Sequence, residues 1–539
     1  MNRIPLVLTL TLIARSLLAQ PMDTSGSSGV DGTTGRDAIS LMSTTLDAAD
    51  PINMATGEFY FTRSLANLGG PLPLGFSLAY SSAGGNTNGI DTTPQGLGGM
   101  AAKFRASHHA FVQIVNIDFG PGFQFTQAFV RIGLDEDLAF QLNTTTTQWE
   151  QLSDKAERHE LIETATHYYV SVPASGRVHV FVKAAGKDAA PRTHTLDRNG
   201  NTLTYTLPAD HDQATDTGPL SVADGLGRSL TFTYTDIAGE KFLTALTDHT
   251  GRAWTFQYEN GPADNPPADA TPLVTLRSIT DPLSGVCRFT YQGNNRIASK
   301  QMPEGNTPYS QTYPTTLTDP AVQTQTDAFG RVFTFAVAES LPGLGTSARE
   351  LTHPDDSRRR FFHQNNGTLM SAILDEAGKY MTFEADPDRR AIARTVDRDG
   401  AKSSITYDNA SGFVKTITNA RGDRSTATFT PAVQIITNPA NAETVNVTFF
   451  DLTRIDHVDG TLSTSVFDTK GNATSSTDRN GDTTTRTFNA LGQPLTTTNP
   501  ETGTTTVTYD AAANLHTITD ADTGITNFGY DALNRLTLI

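Results

Sequence analysis

The carboxyl-terminal third of the chain repeats every 21 residues. Aromatic residues recur at this spacing, each followed by an Asp or Asn: Phe467-Asp468, Phe488-Asn489, Tyr509-Asp510 and Tyr530-Asp531. A second acidic or amide position recurs with the same period, at Asp478, Asn499 and Asp520. A fixed period of about 20 to 50 residues is typical of stacked or wound repeat architectures. The sequence therefore predicts a repeat protein.

One unit, residues 499–519, shows what each repeat contains. Thr504 to Tyr509 form a β-branched run that ends in an aromatic residue, which favours a half-buried strand. Leu515 to Thr519 form a second such run, and the Asp, Asn and Gly residues between runs favour tight turns. Leu515 and Ile518 differ in parity, so we expect a bulge in the second strand. Each unit must pair with its neighbours to bury an apolar face.

The same pattern extends upstream with looser spacing. An acidic corner precedes each of the earlier aromatic residues Phe335, Tyr291, Tyr258, Tyr234 and Tyr205. The recurring residues are interpreted as structural anchors of the repeat: Asp397, Tyr407, Asp408, Phe467, Asp468, Asp478, Phe488, Asn489, Tyr509, Asp510, Asp520, Tyr530 and Asp531. Because an aromatic that recurs once per unit is usually part of a core, we expect these rings to face inward.

Two stretches carry a resemblance to a known family. The Tyr-Asp segments at Tyr509 to Leu515 and Tyr530 to Leu536 resemble the YD repeat of RHS proteins. The segments Asp50-Pro51 to Gly57-Glu58, Gly70-Pro71 and Tyr80 to Ser82 are similar to the module that precedes RHS repeats. The resemblance implies an all-β fold, with a YD-repeat sheet at 191–539 wound into a spiral or partial shell. A small β-rich amino-terminal module at 50–190 would precede it.

The ends and the charge of the chain narrow the classes of function. Residues 1–19 have the basic start and short apolar run of an export signal, and that run is too short to span a bilayer. Residues 20–49 predict a flexible leader, because they are rich in Ser, Thr, Gly and Asp. The predicted location is therefore the periplasm, the cell surface or the medium. A net charge of −17 argues against a nucleic-acid partner.

The chain offers no motif that predicts catalysis, a metal or a cofactor. The adjacent pair His108-His109 would point to opposite faces of a strand, and the Asp478 corner lacks the Gly and Glu of a calcium loop. Phosphate-loop and nucleophile-elbow motifs are absent from the sequence. One enzymatic reading is kept for residues 106–190, where His159 and Glu163 would align on a helix. The basic run Arg358 to Arg360 predicts a solvated strand face or an edge guard.

The resemblance itself implies one enzymatic feature and one truncation. RHS proteins of the toxin type carry an aspartyl protease core with paired Asp-Pro-x-Gly motifs after their repeats, which releases a carboxyl-terminal toxin. None of the four Asp-Pro pairs in this chain reads Asp-Pro-x-Gly or follows the repeats. We therefore expect no catalytic residue to carry over, and we expect Ile539 to fall in the middle of a repeat unit.

Two functions from different classes follow. The first is an exported, non-enzymatic shell or scaffold, part or remnant of an RHS toxin-delivery system, whose partner is an enclosed or carboxyl-terminally linked polypeptide. In that case the corner Asp and Asn residues would keep the coils in register. The alternative is a cell-surface binding module, an adhesin or carbohydrate-binding protein whose partner is a cell-wall glycan. An outward band of aromatic residues would favour the alternative, and inward aromatic residues would weaken it.

Overall fold

The computed structural model is almost entirely β. It describes residues 52–539 apart from 55, 83–99, 102, 119–123, 135–136, 153–156, 184–188, 210–217, 261–273, 294, 317–318, 320, 365–368, 390 and 532–535. The predicted export signal at 1–19 and leader at 20–49 lie outside the described residues. Within the described part the only helix is a short 3-10 helix at Pro173–Ser175. The all-β prediction is confirmed.

The first described strands form a small antiparallel sheet, which we call the plug. Its strands are, in order, β1 (Tyr60–Asn67), β2 (Gly75–Ser81) and β3 (Phe104–Ala106). Along β2, the alternate residues Phe76, Leu78 and Tyr80 are buried. This two-residue period places one face of the plug against a core.

The next strands form a near-complete ring of pairings. Their bounds are β4 (Phe111–Asp118), β5 (Gln124–Arg131), β6 (Asp137–Asn143), β7 (Gln148–Gln151), β8 (Glu160–Glu163), β9 (His167–Val172), β10 (Arg177–Val182) and β11 (Ala189–Asp197). Chain neighbours pair antiparallel from β4 to β7 and from β8 to β11. The start of β11 also pairs with β4, through residues 189–191. The ring encloses an apolar core that includes Val130, Phe140 and Val170.

Side chains complete the ring between β7 and β8. The indole Nε1 of Trp149 donates to Glu163 at 2.9 Å, and the side-chain oxygen of Gln151 accepts from the backbone N–H of His159 at 2.7 Å. Strand β11 crosses the predicted domain boundary at residues 190 and 191, because its first half closes the ring and its second half begins the repeat sheet.

The repeat sheet then runs in strict chain order. Its first strands are β12 (Thr202–Thr206), β13 (Ser221–Ala223), β14 (Ser229–Ile237), β15 (Glu240–Asp248), β16 (Ala253–Asn260), β17 (Val274–Thr280), β18 (Val286–Gln292), β19 (Arg296–Gln301), β20 (Tyr309–Thr312), β21 (Thr324–Asp327), β22 (Val332–Ala338), β23 (Ser347–Thr352), β24 (Arg358–Gln364), β25 (Leu369–Leu374), β26 (Tyr380–Ala385), β27 (Ile392–Val396), β28 (Lys402–Tyr407) and β29 (Val414–Thr418).

A long hairpin interrupts this regular series. It consists of β30 (Arg424–Thr437) and β31 (Thr444–Asp456). The later repeats follow as β32 (Leu462–Phe467), β33 (Ala473–Thr477), β34 (Thr483–Phe488), β35 (Pro494–Thr498), β36 (Thr504–Tyr509), β37 (Leu515–Thr519) and β38 (Ile525–Asn527). A separate two-stranded sheet is formed by β39 (Gly529–Tyr530) and β40 (Leu536–Leu538).

The bulge expected in the second strand of each unit is confirmed. Between β36 and β37 the register passes from Thr508↔Thr517 to Tyr509↔Leu515, so that His516 is the extra residue. The same shift precedes Phe467 and Phe488 in the neighbouring units. A bulge increases the local twist of a strand pair, so its repetition in most units bends the sheet in one direction, although the β22–β23 pair has none.

The sheet winds back onto its own beginning. The turn between β11 and β12 lies against corners far along the chain, where the side chain of Asn472 donates to Asn199 at 2.9 Å and that of Asn201 donates to the Leu491 carbonyl at 3.0 Å. These partners are 273 and 290 residues apart in sequence. The strands between them therefore complete one turn of a spiral, and the predicted wound sheet is confirmed.

The Arg358 to Arg360 run does not guard an edge. Strand β24 pairs with β23 on one side and β25 on the other. Arg360 donates to Glu350 at 2.9 Å, and Arg359 lies 2.8 Å from Glu376. The expectation of an edge guard is wrong, because β24 has a paired strand on each side.

Candidate functional site

The predicted corner residues form a local hydrogen-bonded turn. One carboxylate oxygen of Asp510 accepts from the backbone N–H groups of Ala512 at 2.9 Å and Asn514 at 2.8 Å. The same i+2 and i+4 acceptor pattern recurs at Asp397, Asp468, Asp478, Asn489 and Asp520. Asp408 bonds the N–H groups two and three residues on instead. These side chains therefore stabilise their own turns.

The corners reach the neighbouring coil through a second residue. The carboxylate of Asp468 also accepts from the side-chain amide of Asn472 at 2.9 Å, and that amide in turn contacts Asn199 at 2.9 Å. Burial raises the pKa of Asp468, but hydrogen bonds from Asn472 and Lys470 outweigh it and the pKa is lowered overall. A corner acid here orients the amide that makes the coil-to-coil contact.

The tyrosine anchors make one further bond that the sequence did not reveal. The hydroxyl of Tyr509 donates to the Pro494 carbonyl at 2.9 Å, and that of Tyr407 donates to the Ile392 carbonyl at 2.9 Å. Tyr258 and Tyr291 also bond the carbonyl 15 residues earlier. Each tyrosine therefore ties its strand to the strand pair before it. Tyr530 is half-buried in β39, and the corner after Asp531 lies outside the described residues.

We call the sheet face that carries these rings the inner face. In the early repeats, β12 to β26, the plug covers this face. The ring of Phe61 stacks on that of Phe289 with centroids 6.1 Å apart, and Phe76 meets Phe232 edge to face at 5.4 Å. These residues belong to one buried core cluster with the anchors Tyr205 and Tyr291. The anchor rings Tyr205 and Tyr291 of the early repeats are therefore core residues.

Polar contacts fix the plug in place on that face. The Tyr80 hydroxyl donates to the Asn295 carbonyl at 3.1 Å and accepts from the Ile297 N–H at 2.8 Å. Burial raises the pKa of Tyr80 well above its ordinary value, so the hydroxyl remains a donor. Two backbone carbonyls beside the plug strands accept from the repeat sheet. That of Thr56, before β1, accepts from Arg349 at 3.0 Å, and that of Leu68, directly after β1, accepts from Arg228 at 3.1 Å.

In the late repeats, β32 to β38, the inner face is less covered. Phe467, Phe488 and Tyr509 are half-buried there. A groove of about 270 Å³ lies beside Tyr509, and its lining includes Leu491, Leu495, Val507 and Ala513. Val507 and Tyr509 alternate along β36 with exposed threonines. The same pattern that builds a core in the early repeats leaves a groove here, which polar side chains such as Asn489 and Gln493 also line.

The helical alignment of His159 and Glu163 considered for residues 106–190 is wrong. Residues Glu160–Glu163 form strand β8, so His159 and Glu163 do not stand one helical turn apart. Glu163 instead accepts from Trp149 and from Lys183. Among the described residues, no group of three or more His, Cys, Asp and Glu side chains is placed to hold a metal.

His108 and His109 are not on a strand, contrary to expectation. They lie in the turn after β3, and both are buried. His108 contacts the Gly75 carbonyl at 2.7 Å. Burial, together with the positive charge of Arg192, lowers the pKa of His108 to about 3. The imidazole ring of His108 is therefore a neutral component of the interface between the plug and the repeat sheet.

The long hairpin is a structural feature that the sequence reasoning missed. Val447 and Phe449 pack against Tyr169 and Val180 of the ring, in a separate buried cluster. Arg198 donates to Asp451 at 2.5 Å. The unusual length of the β-rich run from 424 to 456 was the available signal, but its packing partner lies far upstream in the chain.

Further contacts hold the tip of this hairpin against the ring. Glu443 accepts from the Tyr169 hydroxyl at 2.8 Å and lies 3.2 Å from His167 Nδ1. Glu160 accepts from the backbone N–H of Thr448 at 3.2 Å, and burial raises the pKa of this carboxyl. The hairpin is thus anchored at both its base and its tip.

Two families match parts of the chain. The RHS Repeat family matches residues 467–504, and a domain of unknown function, DUF6531, matches residues 49–98. No curated protein matches. In the part of the chain that the structure describes, no helix has the length and apolar character needed to cross a membrane.

Several solved structures are similar over most of this chain. The TcdB2-TccC3-TEV crystal structure shares 12% identity and a TM-score of 0.32 over 93% of this chain, which spans 29% of that chain. A Photorhabdus luminescens Tc holotoxin pore shares 11% identity and a TM-score of 0.33 over 98% of this chain, which spans 30% of that chain. This chain therefore spans under a third of the length of these structures.

Proposed function

We propose, from the premise that this chain is an RHS-repeat protein, that it is an exported, non-enzymatic shell or scaffold that encloses or displays a polypeptide. One observation carries the proposal: the inner face of the early repeats already holds a polypeptide, the chain's own plug. Phe61 stacks on Phe289 there, and Tyr80 bonds the backbone at Asn295 and Ile297.

The late repeats offer an equivalent inner face for a second polypeptide. Their strands keep the same bulge and the same inward aromatic position. Val507, Tyr509 and Leu495 form the apolar part of a groove whose lining also includes Asn489 and Gln493. An extended polypeptide with apolar side chains would bury this face as the plug buries the early one, and burial stabilises by about 25 cal/mol per Å² of apolar area.

The rival function, glycan binding by a surface adhesin, predicts aromatic residues on the outer face. The early anchors Tyr205 and Tyr291 instead lie in the buried core under the plug, and the late anchors Phe467, Phe488 and Tyr509 are half-buried. Exposed aromatic rings occur singly, as at Phe329 in a corner. Isolated rings do not make the ordered platform on which sugars stack.

Photo-crosslinking in the native host tests the proposal. A benzophenone side chain is placed at Val507 on the inner face and, as matched control, at the adjacent Thr506, which is exposed on the outer face and does not line the groove. We expect the inner position to cross-link to a polypeptide and the outer position not to do so. Equal labelling at both positions, or labelling of glycan alone, would contradict the proposed function.

A further inference from the structure

Part of one edge of β30 has no partner strand among the described residues, in a segment that carries no charged side chain. Strand β29 pairs only with residues 424–426 of β30. Beyond them, β31 is the one described strand that pairs with residues 427–437. An open edge presents unpaired N–H and C=O groups and is a template for another strand.

The direction of these backbone groups follows from the hairpin turn and from a proline. The N–H of Asn438 donates to the Glu443 carbonyl, so the even-numbered residues of this part of β30 direct their N–H and C=O toward β31, and the odd-numbered residues direct theirs away from it. Pro431, which has no N–H, is one of the odd-numbered residues and lies opposite Phe450. Val433, Ile435 and Thr437 therefore present their donors and acceptors outward.

The side chains along this edge are apolar and exposed. Val433 and Ile435 are each 67% exposed. They continue the face of β30 that carries Phe429, whose ring meets that of Phe413 at 5.2 Å. Large exposed aliphatic side chains beside an open strand edge mark an interaction surface.

Contacts within the chain already hold this strand in place. Its opposite face packs on the ring through Ile436, and the Gln434 amide donates to the Arg198 carbonyl at 2.5 Å. Glu443 fixes the tip through Tyr169. A strand that is already ordered avoids most of the entropy cost of binding.

We propose that this edge, residues 432–437 of β30, is a dimerisation site at which a second copy of the chain adds the same strand. Residues 425–437 contain no charged side chain, although the chain as a whole carries a net charge of −17. The negative charge carried by the rest of the chain repels a second copy, whereas residues 425–437 add nothing to that repulsion. It is self-complementary, because an antiparallel pair of identical strands is related by a two-fold axis.

The register of this pair follows from the open backbone groups. A two-fold axis at Ile435 places Ile435 opposite its counterpart and Val433 opposite Thr437, all with outward N–H and C=O groups. Pro431 ends the pairing on one side, since it lacks a donor. The two hairpins then form a four-stranded sheet, which is more stable than an isolated pair of strands.

Disulfide trapping of the full chain tests this register. The one cysteine, Cys287, is buried, so the Ile435→Cys variant carries a single accessible thiol. Cα atoms of a hydrogen-bonded antiparallel pair lie about 5.5 Å apart, within the range that a disulfide spans. We expect mild oxidation to give a covalent dimer in most of the sample. The Val337→Cys variant, at a valine that is 79% exposed on β22, is the control and should give no covalent dimer.

The mass of the native chain in solution gives an independent test. We expect light scattering to show a concentration-dependent dimer that the double variant Val433→Lys/Ile435→Lys reduces at least tenfold in association constant. The Val337→Lys variant should leave it unchanged, and circular dichroism checks that each variant is folded. A native chain that is monomeric, or equal trapping of the two cysteine variants, would overturn the proposal.

Discussion

Early and late repeats share one local structure but differ in what covers their inner face. In both regions a bulge precedes the anchor aromatic, as at Tyr291 and Tyr509, and both hydroxyls bond a carbonyl 15 residues back. Tyr291 is 5% exposed under the plug, whereas Tyr509 is half-buried beside an open groove. The repeat therefore determines where an aromatic points, and a distant segment determines whether it becomes core.

The largest expected effect separates these two tyrosines. Tyr291→Ala removes a ring from the buried core and should lower the free energy of unfolding by about 3 to 5 kcal/mol. Tyr509→Ala removes the equivalent half-buried ring and should cost about 1 to 2 kcal/mol, because less apolar area is lost. Urea denaturation followed by circular dichroism measures both. Equal costs would show that the plug adds nothing to the early repeats.

Lowering the pH should reduce the stability of the early repeats under the plug more than that of the late repeats. The neutral His108 ring packs between Tyr205 and Phe232. Its pKa is lowered from 6.5 to about 3, so the unfolded chain binds the proton more readily than the folded one. This contribution to stability is complete above pH 6.5 and is lost as the pH falls towards 3.

Between pH 6.5 and pH 4 the loss attributed to His108 should reach about 3 kcal/mol. Denaturation curves recorded across that range measure the slope, and His108→Gln should flatten it. The control is His516→Gln, at an exposed histidine in the late repeats. A slope that responds equally to both variants would remove His108 as its source.

Some corners of the late repeats have a non-glycine residue with a positive φ, where most other corners have glycine. Thr502 adopts a φ of 68°, at the position where the neighbouring units have Gly481 and Gly492 with φ of 89° and 80°. A β-branched residue in this region is strained by about 1 kcal/mol or more. Thr502→Gly should therefore stabilise the late repeats by about 1 kcal/mol.

The reverse exchange is the matched test of that corner. A Cβ added at Gly481 would meet no neighbouring atom, so Gly481→Thr should cost a similar amount through the backbone alone. Hydrogen exchange of the amides in β33 to β36 measures both changes. The idea fails if Thr502→Gly slows no exchange, or if Gly481→Thr is neutral.

The smallest expected effect is that of one hydroxyl. Phe488 occupies the anchor position without a hydroxyl, and the carbonyl 15 residues earlier is that of Ala473. Phe488→Tyr should add a hydrogen bond worth about 0.5 to 1 kcal/mol, and Tyr509→Phe should lose as much. Denaturant midpoints of the two variants should shift in opposite directions. A shift in the same direction would show that the hydroxyl bond does not stabilise the late repeats.

Local sequence was sufficient to predict the unit. The Asp510 turn, the strands on either side of it and the bulge near Leu515 all depend on residues within one repeat. The helix considered around His159 was wrong because residues 160–163 pair with β9, a tertiary contact that overrides an apparent helical spacing. Placing His108 and His109 on a strand failed for a similar reason, since a turn after β3 holds both.

By itself, the sequence determined an all-β chain of bulged hairpins, with Asp and Asn at the corners and aromatic rings on one face. Only the tertiary structure decided which rings are buried, that the β30–β31 hairpin packs on the ring, and that one edge of β30 stays open. The physical reason is distance along the chain. Turns and bulges form between residues at most about 20 apart, whereas Tyr80 reaches Ile297 across 217 residues and Arg198 reaches Asp451 across 253.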